Sequence, residues 1–153
     1  MNKIKFDKII TASNDNVWLT TIDKGVFLTQ KSTENQIKIT HFTQNSKADF
    51  SLASNNLNFV IKDPDNSVWV GSDKGLDCII KYKNQGYQSK NIVKNSNVKC
   101  LLIQNNTIWF ANQDGELISY NKTHKNYCRI QWYHKRSLGK HQGRILTVGD
   151  HQP

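Results

Sequence analysis

Glutamate is almost missing from this chain of 153 residues: Glu34 and Glu116 are the only two, and neither forms an evident acid and base pair with a nearby aspartate. No Cys-x-x-Cys pair occurs. The three cysteines, Cys78, Cys100 and Cys128, lie far apart, each in or beside an apolar run, where buried free thiols are expected. Nothing resembles a nucleophile elbow or a phosphate loop. An enzyme is therefore the least favoured reading, and neither a cofactor nor a metal is expected. Long apolar runs are absent as well, and no window approaches the ~18 residues needed to cross a bilayer. The charged opening, Met1-Asn2-Lys3-Ile4-Lys5-Phe6-Asp7-Lys8, leads into no apolar stretch of the secretory kind. Taken alone, the chain reads as soluble and cytoplasmic, without membrane insertion. Helix signals are nearly absent.

What is present is a repeat. Asp65-Asn66-Ser67-Val68-Trp69-Val70-Gly71-Ser72-Asp73-Lys74-Gly75-Leu76 is preceded by Asp15-Asn16-Val17-Trp18-Leu19-Thr20-Thr21-Ile22-Asp23-Lys24-Gly25-Val26 and followed by Asn106-Thr107-Ile108-Trp109-Phe110-Ala111-Asn112-Gln113-Asp114-Gly115-Glu116-Leu117. The tryptophans are 51 and then 40 residues apart, the period of propeller blades and short solenoid units. Each unit divides into four short runs rich in Val, Ile, Trp, Tyr and Thr and bounded by Asn, Asp, Gly or Ser, which is the pattern of all-β chains. The expected strands are residues 8–12, 17–21, 26–30 and 36–42, then 58–62, 68–72, 76–82 and 90–93, then 98–104, 108–112, 117–120 and 127–133. Asn and Asp in the first turn of each unit tolerate positive φ. Gly25, Gly75 and Gly115 are expected to supply a left-handed position in the next turn. Thr20, Gly71 and Ala111 share a face with the tryptophans and are expected to leave room for a bulky side chain from an adjoining sheet.

At residues 63–82 the pattern of Asp, turn, Val-Trp-Val-Gly-Ser, Asp-Lys-Gly-Leu and then Tyr resembles the two-component regulator propeller repeat. Residues 59–82 match best, 101–121 match well, and 9–30 less well, with an extra residue between Trp18 and Gly25 and Gln30 where the others carry Tyr82 or Tyr120. The Gly usual in the first turn is Asn or Asp throughout. The resemblance implies the ligand-sensing propeller of hybrid histidine kinases, hence a non-catalytic sensory module, and a periplasmic location if the chain belongs to a membrane-anchored sensor. No kinase or response-regulator sequence is present.

The expected architecture is an all-β, partial β-propeller of about three four-stranded antiparallel blades, at residues 8–43, 57–94 and 97–133 within a region 1–134. A basic tail, 135–153, is read as poorly ordered or as the start of a further blade. Propellers have about 4 to 8 blades, so the remaining ones would come from a longer chain, from self-association or from a partner. The first is preferred, since repeat arrays survive truncation.

Few residues invite a chemical reading. Asp63-Pro64-Asp65-Asn66-Ser67 resembles the start of a calcium loop, but Val68 and Lys74 stand where such a loop needs Gly and Glu, so a hairpin turn is expected. Asp23, Asp73 and Asp114 recur at one turn and read as turn residues. Trp18, Trp69 and Trp109 could stack on sugar rings or bases, yet their fixed place says core. Phe50, in a polar insertion over residues 44–58, and Tyr87, after Asn84-Gln85-Gly86, lie outside the shared frame, where loops on a rigid scaffold bind ligands. Phe50 could equally pin the insertion to the sheet. The partner expected there is an unidentified ligand, with carbohydrate as one class. A net charge of +9 and the arginines after Tyr127 support an alternative, a nucleic-acid-binding protein that stacks bases on Trp132 and Tyr133, although spread-out lysines are the mark of an ordinary solvated surface. Cys128, His134 and His141 match no standard zinc spacing. A third reading is a structural module for protein–protein interaction.

Overall fold

A computed structural model describes residues 3–11, 16–31, 36–45, 48–133 and 144–151, and for the last span it gives the backbone alone. The chain forms two compact units, Met1–Asn97 and Val98–Pro153. The first holds two four-stranded sheets: β1 (Phe6–Thr11), β2 (Asn16–Thr21), β3 (Val26–Lys31) and β4 (Ile37–Phe42), then β5 (Leu57–Lys62), β6 (Val68–Ser72), β7 (Gly75–Tyr82) and β8 (Gly86–Lys94). The second holds β9 (Val98–Gln104), β10 (Thr107–Asn112), β11 (Glu116–Asn121), β12 (Asn126–Tyr133) and β13 (Arg144–His151). Within each sheet, strands adjacent in sequence pair antiparallel. The fold is thus all-β, built from up-and-down sheets of the propeller-blade kind.

The third sheet departs from a count of four. β13 pairs with β12, Ile130 opposite Thr147 and Trp132 opposite Ile145, so residues 145–148 extend that sheet instead of opening a fourth. Residues 134–143, with His134 and His141, lie outside the described residues.

Register decides which side chains share a face. In the first sheet Ile10, Trp18, Leu28 and Thr40 stand opposite one another in turn. Trp18, Val26, Leu28 and Phe42 from this face meet Val60, Val68, Val70, Ile79 and Tyr87 from the second sheet in a single buried cluster. The Trp18 ring stacks edge-on to Tyr87, centroids 5.3 Å apart, and lies 5.8 Å from Phe42. Removing this much apolar surface from water, at about 25 cal/mol per Å², is what holds the two sheets face to face.

Two glycines act differently from expectation. Gly25 and Gly115 take φ of +78° and +80°, but Gly75 opens β7 without a left-handed backbone. A Cβ on it would run into the Val93 carbonyl oxygen, so close approach of two strands requires glycine there. At Gly71 the space is filled by the Phe59 ring, the cross-strand partner within the same sheet, and not by a residue of an adjoining one. A small residue opposite a large one keeps the pleat evenly filled.

Candidate functional site

The turns repeat a device the sequence reading missed. Three residues after each tryptophan stands a polar side chain that holds the next turn. Thr21 Oγ1 donates to the Gly25 carbonyl at 2.8 Å and accepts from Lys24 N at 2.9 Å. Ser72 Oγ donates to the Gly75 carbonyl at 3.1 Å and accepts from Lys74 N at 3.3 Å. Asn112 Oδ1 accepts from Asp114 N and Glu116 N at 3.1 and 3.0 Å. All three side chains are buried. Asp23, Asp73 and Asp114 sit in these turns. Asp63-Pro64-Asp65-Asn66-Ser67 closes a hairpin: Asp63 N donates to the Ser67 carbonyl, Asp65 Oδ1 accepts from Ser67 N and Oγ, and Asn66 takes φ of +68°. Asp63 Oδ2 accepts from Trp69 Nε1 at 3.2 Å.

The insertion between β4 and β5 breaks the repeat and builds a concavity. Its chain folds back on itself, with Thr43 N donating to the Phe50 carbonyl and Leu52 N to the Thr43 carbonyl. A short 3-10 turn, Ala48–Phe50, lies between them. Phe50 packs edge-on against Phe42, centroids 5.6 Å apart, and Leu52 is buried in the core. Ser89 Oγ donates to the Ser51 carbonyl at 2.6 Å, fastening the insertion to β8. The resulting hollow, about 410 Å³, is lined among others by Gln44, Ser51, Lys74, Ser89, Asn91 and Lys94. It offers two ammonium groups, amides and hydroxyls, a set suited to an oxygen-rich ligand.

Asp77 anchors this hollow and was not singled out from sequence. It is fully buried, and its two oxygens accept from Ala53 N and Asn91 Nδ2, each at 2.9 Å. Burial pushes its carboxyl up to about 6, against the opposing pull of the Ala53 and Asn91 bonds. Asn91 Oδ1 is buried without a partner. The cue was positional. Counting from the tryptophans, Asp77 occupies the place of Phe27 and Ile118, apolar residues in the other two sheets.

Of the expected binding residues, Phe50 is half-buried against the core and pins the insertion. Tyr87 belongs to β8 and not to a loop; it is buried against Trp18, and its hydroxyl accepts from Asn16 Nδ2 at 3.3 Å. Trp132 and Tyr133 are in β12, but their side chains lie outside the description. Arg129 faces Glu116 at 4.0 Å and the Tyr127 ring at 5.5 Å. Trp18 and Trp69 are buried, whereas Trp109 is half-buried over an open apolar hollow of about 390 Å³. Cys78 is buried and Cys128 half-buried, but Cys100 is exposed, on the same open face as Trp109. Among the described residues no helix is long and apolar enough to cross a membrane.

No family model matches the chain, and no curated protein matches it in sequence. Among solved structures it is similar to the extracellular domain of BT4673 from B. thetaiotaomicron, a domain assigned to a one component system in one structure and to a hybrid two component system in another. The first has TM-score 0.60 and 19% identity over 86% of this chain and 18% of that one. The second has TM-score 0.55 and 19% identity over 80% and 15%. PorZ, an essential bacterial surface component of the type-IX secretion system of Porphyromonas gingivalis, has TM-score 0.57 and 16% identity over 77% and 20%. What is shared is the propeller-like all-β fold. The chain spans about a fifth or less of the length of each of these proteins.

Proposed function

We propose that this chain is a non-catalytic sensory module, a set of blades of the two-component regulator propeller kind that binds an acidic saccharide in the hollow between the insertion and β8. The observation that carries the reading is the hollow itself. It lies where the chain departs from its repeat, and it gathers Lys74 and Lys94 with Asn91, Ser89 and Gln44. The lysines would pair with a carboxylate or sulfate, and the amides and hydroxyls with ring hydroxyls. Support for a sensory role comes from the likeness of fold to the extracellular domain of a signalling protein and from the sequence resemblance in residues 59–82. On this reading the kinase output belongs to a longer parent, whose propeller stands outside the inner membrane.

The test is calorimetric titration of the chain with uronic-acid and sulfated oligosaccharides beside neutral ones of equal length. Binding of an acidic saccharide, weakened about tenfold or more by Lys74→Ala with Lys94→Ala, supports the proposal. Equal heats with acidic and neutral ligands, or an affinity indifferent to the two lysines, would sink it.

A further inference from the structure

We infer that the hollow takes up a proton together with its acidic ligand, the proton going to Asp77 behind the wall, so that the site binds more tightly as the solution is acidified. The inference rests on the saccharide reading of the hollow and adds its regulation. Asp77 has no opening to solvent, yet it lies one hydrogen bond behind the ligand's place. Its Oδ2 accepts from Ala53 N and its Oδ1 from Asn91 Nδ2, each at 2.9 Å, and Ala53 and Asn91 both line the hollow. Register sets it on the face that carries the site: Gly75, Asp77 and Ile79 of β7 pair with Lys94, Asn91 and Ser89 of β8.

The charged groups around Asp77 leave it as the proton's place. Lys74 and Lys94 line the hollow and are the groups a ligand anion engages, while Lys90 pairs with Cys78 and belongs to the opposite face. From β6 Val70 stands opposite Asp77. Asp49 of the insertion is exposed, and Asp73 in the β6–β7 turn is held below the usual carboxylate range, chiefly by the nearby Ser54 hydroxyl. Among the described residues lining the hollow there is no histidine. A carboxylate behind an anion site is a like charge, and protonation removes the repulsion. The structure also holds a partner for the proton. Asn91 Oδ1 is buried with no hydrogen bond. A charged Asp77 needs the N–H of Asn91, which fixes the amide as observed. Once Asp77 Oδ1 carries a proton, the amide can turn end for end, so that the new O–H donates to Asn91 Oδ1 and the orphaned acceptor is satisfied. Burial already pushes the carboxyl up to about 6, and an anion bound in front of it acts in the same direction. By linkage, such a ligand binds most tightly in the acidic range and loses affinity as pH rises.

The experiment is calorimetric titration of the full chain with trigalacturonate and with a heparin-derived tetrasaccharide at pH 5, 6.5 and 8, in buffers of differing ionisation enthalpy. Affinity is expected to fall about tenfold from pH 5 to pH 8, and the buffer dependence of the heat should show net proton uptake on binding at pH 6.5. Asp77→Asn keeps an acceptor for Ala53 N and offers an N–H to Asn91 Oδ1, so it stands for the protonated acid. It should bind at pH 8 as tightly as the wild-type chain does at pH 5, with no proton uptake, and circular dichroism confirms that it keeps the β fold. The proton count is read on the wild-type chain and decides the matter even if the variant fails to fold. Binding indifferent to pH and buffer overturns the inference and leaves the saccharide reading standing. A pH dependence that survives unchanged in a folded Asp77→Asn variant overturns it as well. No binding of either saccharide at any pH overturns both.

Discussion

Trp18 and Trp109 occupy the same place in two copies of one repeat and meet opposite fates. Trp18 is 1% exposed beneath Tyr87 and Phe42, while Trp109 looks over an open hollow beside Leu102. Both strands have Trp flanked by apolar residues, and both pair in the same register. The difference lies in what stands opposite. A blade sequence therefore encodes half of an interface, and the energy of that half is realised only when another sheet covers it. For this reason recurrence identifies a position but does not establish its burial.

The sharpest way to break that comparison is to cut both tryptophans back. Trp18→Ala empties a fully packed site and should cost about 3 to 5 kcal/mol. Trp109→Ala, at a side chain only half-buried over an open hollow, should cost about 1 kcal/mol. Urea unfolding of both variants at low protein concentration measures the difference. Equal losses would mean that the Trp109 face is as well packed as the Trp18 face.

Where sequence was informative, one residue's chemistry settled the matter locally. Asn66 and Asn105 adopt the positive φ expected of hairpin residues, and all the expected strands in the first three units exist because alternation and turn residues agree. Where it was not, the deciding partner was distant in sequence. Tyr87 reads as a loop residue because Asn84-Gln85-Gly86 looks like a long connection. Gly86 at φ of +80° instead makes a tight turn, and β8 starts at once. Gly71 is small because of Phe59, a cross-strand neighbour. Of the hollow, the insertion was visible as an added length between tryptophans. Asp77 was not, since an acidic residue in an apolar run gains meaning only when set against Phe27 and Ile118 in register.

Asp77 sharpens the comparison between the second and third sheets because it puts a buried titratable group at a place that Ile118 fills in the third. Its folded carboxyl, at about 6, lies above the ordinary 3.8, so the folded state holds the proton more tightly than the unfolded one. The stability contributed by this group is then fully present below about pH 4 and is lost as pH rises towards and past about 6. The full loss from this group is about 3 kcal/mol, from roughly two units at ~1.4 kcal/mol each. Asp77→Asn keeps an acceptor for Ala53 N and removes the charge. It should flatten the decline between pH 4 and 7, whereas Ile118 at the equivalent place contributes none. Thermal unfolding of both proteins at pH 4, 5.5 and 7 checks this, and an Asn variant that retains the wild-type slope would show that the decline arises elsewhere.

The smallest effect is the one expected to be the same in all three sheets. Thr21, Ser72 and Asn112 each satisfy backbone groups of the turn that follows, and each is buried, so losing the side-chain oxygen leaves those groups short of a partner. Ser72→Ala should cost about 1 kcal/mol, and Thr21→Val and Asn112→Ala a similar amount. Because this device acts within one hairpin, the cost should not depend on whether a second sheet lies alongside, in contrast to the tryptophans. Midpoints of urea unfolding for the three variants decide it. A Ser72 variant as stable as wild type would show that water replaces the hydroxyl. A marked excess at Ser72 over Asn112 would show that this turn also supports the hollow, because Lys74 in the same turn lines it.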